Sequence, residues 1–214
     1  MTGDPSTPVE PHDTNRGTTL TSQPLQRPDQ AIVLDPRTVT RAKLGDIDAF
    51  TSIVETYYAR SLRFARAMLR HPDDAEDTVQ EAFVRLYRAL PRYEERQRFE
   101  SWLFQILGNC CRTANTARHR EHARIVNDDK VLERIPSPDD PSAGFEHEWG
   151  DEVRLALAEI PEYNREIFLL HYIEGLSYDE IAQMTGVRQS ALKMRVKRAC
   201  DFLRTRLSPG PGRR

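Results

Sequence analysis

The sequence predicts an all-α protein made of two small helical domains joined by a flexible linker, the second domain carrying a helix-turn-helix. Apolar residues recur at the three-to-four spacing of an amphipathic helix through residues 36–122 and again through 151–207. Residues 123–150 lose that period and collect prolines and a glycine, which is typical of a linker. No stretch alternates apolar and polar residues as a half-buried strand would.

The two ends of the chain lack the composition of a folded segment. The first 30 residues are rich in Pro, Thr, Asp and Gln and nearly lack large apolar side chains. Such a segment cannot bury enough surface to offset the entropy of ordering, so we expect a disordered tail over residues 1–35. Residues 208–214 are rich in Pro and Gly, and we expect a second, loose tail there.

The first domain, residues 36–122, divides into helical stretches at recognisable breaks. A break falls near Gly45, and residues 71–74 (HPDD) interrupt the next pattern and provide cap residues for a new helix. Pro91 ends that helix, and the polar loop 92–98 leads to a last one. Apolar positions of that last helix are Phe99, Trp102, Leu103, Ile106 and Leu107. The shared face of Phe99, Trp102 and Ile106 favours core packing for the two aromatic rings over stacking on bases.

Charge is distributed unevenly although the chain is almost neutral, with 31 basic and 33 acidic residues and a formal net charge of −2. Residues 186–214 hold nine Arg or Lys and one acid, whereas residues 128–152 hold nine acids and two bases. A basic terminus behind an acidic linker indicates a nucleic-acid-binding end. Two ordinary solvated faces are the alternative.

Composition places the protein in the reducing cytoplasm. Three cysteines are too few for a disulfide framework, and the adjacent pair Cys110 and Cys111 is poorly placed to bridge. No apolar run approaches the ~20 residues that span a bilayer, and the N-terminus lacks the basic head and apolar core of a signal peptide.

Residues 176–187 (LSYDEIAQMTGV) follow the pattern of a helix-turn-helix. Ser177 can cap the first helix, and Glu180 follows three residues later, as in a capping box. Ile181 faces inward, Gly186 suits the left-handed conformation that the turn requires, and Val187 fills the angle between the helices.

The helix that follows has an apolar back and a polar, basic front. At ~100° per residue, the back is formed by Leu192, Val196, Ala199 and Leu203. The front is formed by Ser190, Met194, Lys197, Arg198 and Asp201, with Lys193 on its flank. This arrangement suits a DNA major groove, with early residues at base edges and later ones at phosphates. An ordinary helical hairpin with a basic solvated face is the alternative.

Three motifs of the first domain resemble a known family. They are AKLGDIDAF at 42–50, DAEDTVQEAFVRLY at 74–87 and FESWLFQILGN at 99–109. They resemble the start of the first helices, the polymerase-binding helix and the minus-ten promoter helix of the extracytoplasmic-function sigma factors of the sigma-70 family.

Motifs of the second domain continue the resemblance in the same order. LAEIP at 157–161, REIFLL at 165–170 and GLSYDEIA at 175–182 resemble the family's second domain. The match covers roughly residues 37–206. It implies sigma domain 2 over 36–122, which binds core polymerase and the minus-ten element, and sigma domain 4 over 151–207, which binds the minus-thirty-five element. The acidic linker 123–150 would run near the RNA exit path.

The resemblance implies three sets of binding residues. The polymerase-binding set is Asp74, Asp77, Gln80, Glu81 and Arg85. The minus-ten set is Tyr93 in the loop, then Gln105, Asn109, Arg112, Arg118 and Arg120. The minus-thirty-five set is Arg188, Ser190, Lys193, Met194, Lys197 and Arg198. Amides can pair with base edges and guanidinium groups with phosphates.

Four positions depart from the family's pattern. Thr113 stands where an Asp is usual, and Ala191 and Met194 stand where Thr and Ser are usual. Arg188 replaces a Ser or Pro, so the second helix of the helix-turn-helix lacks a good N-cap. These changes bear on promoter sequence rather than on polymerase binding.

No residues indicate an enzyme, a cofactor or a small-molecule substrate. Cys110, Cys111, His119 and His122 lack the paired spacing of a structural zinc site, and no Gly-rich nucleotide loop or nucleophile–base pair is present. A stand-alone helix-turn-helix regulator is the main alternative, and a DNA-processing enzyme is a third. The resemblance implies core polymerase and promoter DNA as partners and leaves open an anti-sigma factor.

Overall fold

A computed structural model describes residues 34–69, 71–94, 98–126 and 151–208, and all regular structure in these ranges is helical. The helices are α1 (Pro36–Lys43), α2 (Ile47–Met68), α3 (Ala75–Ala89), α4 (Phe99–Val126), α5 (Asp151–Glu159), α6 (Glu162–Phe168), α7 (Tyr178–Thr185) and α8 (Gln189–Leu207). The tail expected over the first residues, most of the acidic linker and the last six residues lie outside the described ranges. In the described part of the chain, no helix is both long and apolar enough to cross a membrane.

Helices α1 and α2 meet at the break expected near Gly45. Gly45 has φ 94°, a left-handed conformation that costs a glycine little. Asp46 then caps α2, its carboxylate accepting from the Ala49 amide at 3.0 Å. Helix α2 continues for 22 residues without a second break.

Helix α3 begins without the side-chain cap that the sequence predicted from residues 71–74. A short 3₁₀ turn, Pro72–Asp74, precedes it, and Asp74 makes no capping hydrogen bond. The Asp74 carboxylate instead accepts two hydrogen bonds from Arg118 of α4, at 2.6 and 2.7 Å. Arg118 offers two parallel charged N–H donors to both oxygens of one carboxylate, a bidentate geometry that the backbone amides of a helix start do not match, which explains the exchange of partners.

Helices α1–α4 form a first bundle around a closely packed apolar core. Its fully buried side chains include Ile53, Phe64, Leu86, Leu103 and Phe104. Each contributes ~1.5–3 kcal/mol by leaving water. Helix α4 extends to Val126, four residues beyond residue 122, where the first domain was expected to end.

Helices α5–α8 form a second bundle in which α8 packs against α5, α6 and α7. A π-helical turn, Leu169–Ile173, continues α6 and leads to the helix-turn-helix. Leu170, Leu176 and Ile181 are fully buried here and belong to the same apolar cluster as the core of the first bundle. The two bundles are therefore packed against each other, with α4 against α7 and α2 against α5 and α6.

Candidate nucleic-acid and protein interfaces

The helix-turn-helix has the local geometry that the sequence predicts. The Glu180 amide donates to Ser177 Oγ at 3.2 Å, and the Ser177 amide donates to Glu180 Oε2 at 2.8 Å, which completes the capping box. Gly186 ends α7 with φ 68°, in the left-handed region. Val187 packs against the core between the two helices. These contacts set the direction in which α8 leaves the turn.

Helix α8 buries the predicted back and exposes the predicted front. Leu192, Val196, Ala199 and Leu203 are its buried residues. Ser190, Lys193, Met194, Lys197 and Arg198 are exposed. Met194 is 50% exposed and lies in the middle of this polar face. The exposed front therefore presents one apolar group among cations.

Several cations of α8 have partners within the second bundle. Arg195 lies over the Tyr163 ring at 5.4 Å, Arg204 pairs with Asp201 at 3.1 Å, and Arg206 pairs with Glu159 at 3.2 Å. By contrast, no ion pair of the described residues involves Lys197 or Arg198. These two charges remain available for a phosphate backbone.

The start of α8 lacks a side-chain cap, as the sequence predicts for Arg188. Arg188 is exposed at this position. Gln189 instead donates to the carboxylate of Asp179 at the start of α7. Lys193 lies over the Tyr178 ring at 5.7 Å. Arg188 and Lys193 thus flank the exposed front at its N-terminal end.

Helix α3 presents a polar face away from the bundle. Asp77 and Gln80 are exposed, and Glu81 forms an exposed pair with Arg85 at 2.7 Å. Val84, which sequence reasoning did not single out, is exposed one turn after Gln80 and adds an apolar patch to this face. Asp74 differs from the other residues predicted to bind polymerase, because Arg118 of α4 donates hydrogen bonds to its carboxylate. This interaction keeps the pKa of Asp74 below its usual value.

Two of the five α4 residues predicted for DNA, Gln105 and Arg112, contact the second bundle. Gln105 donates to the Met184 carbonyl oxygen at 2.6 Å. Arg112 donates both to Glu166 of α6 and to Asn109. Arg118 binds Asp74, and Arg120 is exposed. Arg118 is therefore held within the first bundle, whereas Asn109 and Arg120 are exposed.

Tyr93 lies in an aromatic cluster rather than on the surface. The residue is 7% exposed, and its ring lies 4.6 Å from that of Trp102 and 5.7 Å from that of Phe99, measured between ring centroids. Lys43 also donates to the Tyr93 carbonyl oxygen at 2.6 Å. Phe99 and Trp102 pack against the core, as predicted. The ring of Tyr93 can meet a base only if this cluster opens.

A buried ionic cluster joins the two bundles, and sequence reasoning missed it. Arg60 of α2 contacts Glu174 at 2.8 Å and Glu100 of α4 at 2.5 Å. The Glu174 side chain is only 1% exposed. The sequence feature that could have predicted this cluster was Arg60, because it lies on the same apolar stripe of α2 as Ile53 and Tyr57. A charge on a buried stripe requires a charged partner from elsewhere in the fold.

Comparison with protein families assigns both bundles. Residues 53–121 match the family model of sigma-70 region 2, and residues 150–203 match that of sigma-70 region 4. The chain is 31% identical over 166 residues to the RNA polymerase sigma factor CarQ of Myxococcus xanthus, covering 77% of this chain and 92% of the relative. It is 32% identical over 182 residues to the ECF RNA polymerase sigma factor ShbA of Streptomyces griseus, covering 78% of this chain and 91% of that relative.

The chain belongs to the extracytoplasmic-function sigma factors. A sigma factor binds core RNA polymerase and directs promoter recognition and transcription initiation, and it is not an enzyme. The helix-turn-helix of this sigma factor is therefore part of a polymerase subunit, not of a stand-alone regulator. The first bundle is called region 2 and the second region 4 below.

Solved structures share the fold of this sigma factor. A structure of CnrH in complex with the cytosolic domain of CnrY superposes with a TM-score of 0.59 at 24% identity, covering 81% of this chain and 96% of that one. The sigma factor RpoE from Bartonella quintana, in complex with the anti-sigma factor NepR, superposes with a TM-score of 0.58 at 23% identity. The match covers 75% of this chain and 98% of that one.

The cysteines of the sigma factor are thiols in apolar surroundings. Cys110 and Cys111 are buried, and Cys200 is half-buried. Burial raises the pKa of all three thiols, so they stay protonated and unreactive at neutral pH. No group of three potential metal ligands occurs among the residues whose side chains are described, a set that excludes His122.

The packing of regions 2 and 4 should weaken as pH rises through neutrality. Burial raises the pKa of Glu174 to about 7, with Arg60 and Arg63 opposing the shift and Glu100 adding to it. A pKa raised above its usual value means that the packed state gains a proton. The stabilisation of the packed state by Glu174 is therefore fully present below about pH 4.5, and it is lost as the pH rises through about 7.

Thermal unfolding of this sigma factor between pH 6 and 8 checks this expectation. The midpoint should fall with rising pH, and Glu174→Gln, which keeps the shape but does not titrate, should flatten the curve. An equally steep curve in Glu174→Gln would assign the pH dependence to another group.

Proposed function

We propose that the three sets of side chains divide the work of the sigma factor. The exposed face of α3 binds core polymerase, α4 binds the opened minus-ten element, and α8 reads the minus-thirty-five duplex. The observation that carries this proposal is the front of α8. There, exposed Lys197 and Arg198 form no ion pair among the described residues and follow Ser190 and Met194 on a rigid helix-turn-helix.

The roles follow from the chemistry of each side chain. Arg188, Lys193, Lys197 and Arg198 would neutralise phosphates, which gives affinity without sequence information. Ser190 can hydrogen-bond a base edge, and Met194 can contact a thymine methyl group. On α4, the amides of Gln105 and Asn109 would meet bases, and Arg112, Arg118 and Arg120 would meet phosphates.

Binding to polymerase uses a different surface. The α3 face mixes Asp77, Gln80, the Glu81–Arg85 pair and the exposed side chain of Val84. A polar face with a small apolar patch fits a partner helix pair through hydrogen bonds and charge. Because core polymerase works in the cytoplasm, we place the sigma factor there.

Run-off transcription tests the proposal. Core enzyme with the purified sigma factor should start RNA at defined sites on a genomic promoter library, whereas core enzyme alone should not. The mapped starts should share two sequence elements at the minus-ten and minus-thirty-five positions. Asn109→Ala should lower yield in proportion to how strongly each promoter depends on its minus-ten element. If the start sites shared no minus-ten element, the proposed role of α4 would be wrong. If they shared no minus-thirty-five element, the proposed role of α8 would be wrong.

A further inference from the structure

His171 is a polar ring buried inside region 4 that belongs to none of the three proposed binding sets. It lies in the π-helical turn after α6 and is 4% exposed. Its Nδ1 lies 2.9 Å from the Leu176 carbonyl oxygen, and because a carbonyl can only accept, Nδ1 carries the proton of this hydrogen bond. Its Nε2 is buried and has no hydrogen-bond partner among the residues that the structure describes. A buried nitrogen without a partner costs stability, so we expect the imidazole to serve a purpose that an apolar side chain could not.

The His171 hydrogen bond fixes the chain where α7 begins. Leu176 is fully buried, and its amide donates to the Leu170 carbonyl oxygen at 3.0 Å. Its carbonyl accepts from His171, so both of its backbone polar groups are tied to the π-helical turn. Tyr178, the first residue of α7, follows two residues later. The position at which the Tyr178 side chain leaves the backbone is therefore set by the buried side of region 4.

The imidazole also fixes the plane of the Tyr178 ring. The two rings stack with their centroids 4.1 Å apart and their planes 28° from parallel. Since the hydrogen bond to Leu176 sets the orientation of the imidazole, the stack transfers that orientation to Tyr178. Burial raises the pKa of Tyr178, and Cys200 adds to the shift, so the hydroxyl stays protonated at neutral pH. Tyr178 therefore meets a cation as a neutral aromatic ring and not as an anion.

Lys193 of α8 is the cation that Tyr178 meets. Its ammonium group lies over the Tyr178 ring, 5.7 Å from the centroid, and the residue is exposed on the flank of the α8 front. A lysine side chain is flexible and strongly hydrated, so without a contact it would sample many directions. A cation–π contact at an exposed site is weak enough to direct the ammonium group without withholding it from a phosphate. The ring thus orients Lys193 before DNA arrives.

We propose that Tyr178 is a positioning residue for Lys193 and that His171 holds Tyr178 in place. This inference rests on the proposed function of α8, in which Lys193 binds a phosphate of the minus-thirty-five duplex. Neither His171 nor Tyr178 needs to touch DNA, because both act through Lys193. Binding a phosphate with a side chain that is already ordered costs less conformational entropy, which raises the affinity for DNA.

A double-mutant cycle on the full-length sigma factor bound to core polymerase tests the inference. The four proteins are the wild type, Tyr178→Leu, Lys193→Ala and the double variant. Fluorescence anisotropy measures their binding to a labelled duplex that carries the minus-thirty-five sequence from the mapped start sites and ends upstream of the minus-ten element. Each titration is repeated at several salt concentrations.

Tyr178→Leu should weaken binding about fivefold, the loss expected when one long side chain must be ordered on binding. The salt dependence of the affinity should stay unchanged, because Lys193 still reaches its phosphate. Lys193→Ala should weaken binding and also reduce the slope of the logarithm of affinity against the logarithm of salt concentration by about 1. In the Lys193→Ala background, Tyr178→Leu should cost nothing further, since the group that it positions is absent.

The role of His171 is tested by two substitutions that each keep one of its contacts. His171→Phe keeps an aromatic ring against Tyr178 but loses the donor, whereas His171→Asn keeps a donor near the place of Nδ1 but loses the ring. Each should weaken binding about threefold in the wild-type background and leave the Lys193→Ala variant unchanged. Circular dichroism checks the fold, and if one of the two does not fold, the other carries the test.

Two controls accompany the cycle. Tyr163→Leu removes the ring over which Arg195 of α8 lies at 5.4 Å, so it breaks the same kind of contact outside the proposed DNA-binding set. It should bind the duplex like the wild type. Tyr178→Phe keeps the ring without its hydroxyl and should retain the affinity that Tyr178→Leu loses.

The outcomes separate the positioning role from the proposed function of α8. If Lys193→Ala leaves affinity and salt slope unchanged, Lys193 is not a phosphate contact, and the inference falls together with that part of the proposed function. If Lys193→Ala weakens binding but Tyr178→Leu has the same effect in both backgrounds, or none in either, only the positioning role is overturned. His171 variants that bind like the wild type while Tyr178→Leu does not would overturn the role of His171.

Discussion

Replacing Met194 with Ser should change which minus-thirty-five sequences the sigma factor prefers. Met194 is 50% exposed near the N-terminal half of α8, where a groove-bound helix meets base edges. Its apolar side chain can contact a thymine methyl, whereas a serine hydroxyl would hydrogen-bond a base instead. The expected change in discrimination is ~1–3 kcal/mol at one base pair. Run-off transcription on a library randomised in the minus-thirty-five element measures it.

Lys197→Ala is the matched comparison on the same face. Loss of one phosphate contact should lower transcription from all cognate promoters about equally. It should also reduce the slope of the logarithm of DNA affinity against the logarithm of salt concentration by about 1. The preferred sequence should stay unchanged. If Lys197→Ala alters the preference while Met194→Ser does not, α8 is rotated in the groove and the two roles must be exchanged.

Replacing Asp77 and Gln80 together with Ala should weaken binding to core polymerase about tenfold or more, or ~1.4 kcal/mol. Both side chains are exposed and lie off the buried stripe of Val79, Phe83 and Leu86, so their loss should leave the helix intact. A fluorescence titration of labelled sigma factor with core enzyme gives the affinity, and circular dichroism confirms the fold.

The double variant Thr51→Ala with Glu55→Ala is the control for this experiment. It also removes one carboxylate and one neutral polar group, from an exposed part of α2. Its core affinity should equal that of the wild type. Equal affinities for the two double variants and the wild type would show that α3 does not use this face for polymerase.

Features set by neighbours within a few residues could be predicted from the sequence. The capping box of Ser177 and Glu180 and the left-handed turn at Gly186 depend on local backbone geometry alone. The buried stripe of α8 follows from the helical period, because Leu192, Val196 and Ala199 return to one side every turn. The two helical regions and their order could be predicted for the same reason.

One local expectation was wrong because a distant partner competed with the near one. Asp74 was expected to help cap α3, but Arg118, 44 residues away in the chain, takes its carboxylate. For Asp74, a side chain from another helix supplied a better contact than the neighbouring backbone. Tyr93 lies in the loop as expected, and its ring is enclosed by Phe99 and Trp102.

The amino-acid sequence by itself determined the helices, the helix-turn-helix and the basic front of α8, because these depend on periodicity and on caps a few residues apart. Tertiary structure alone decided how region 4 lies on α4. The pair of Arg60 and Glu174 spans 114 residues, and no period or motif connects the two positions. Their attraction becomes strong only after apolar packing has removed both charges from water, so it exists as a property of the folded chain.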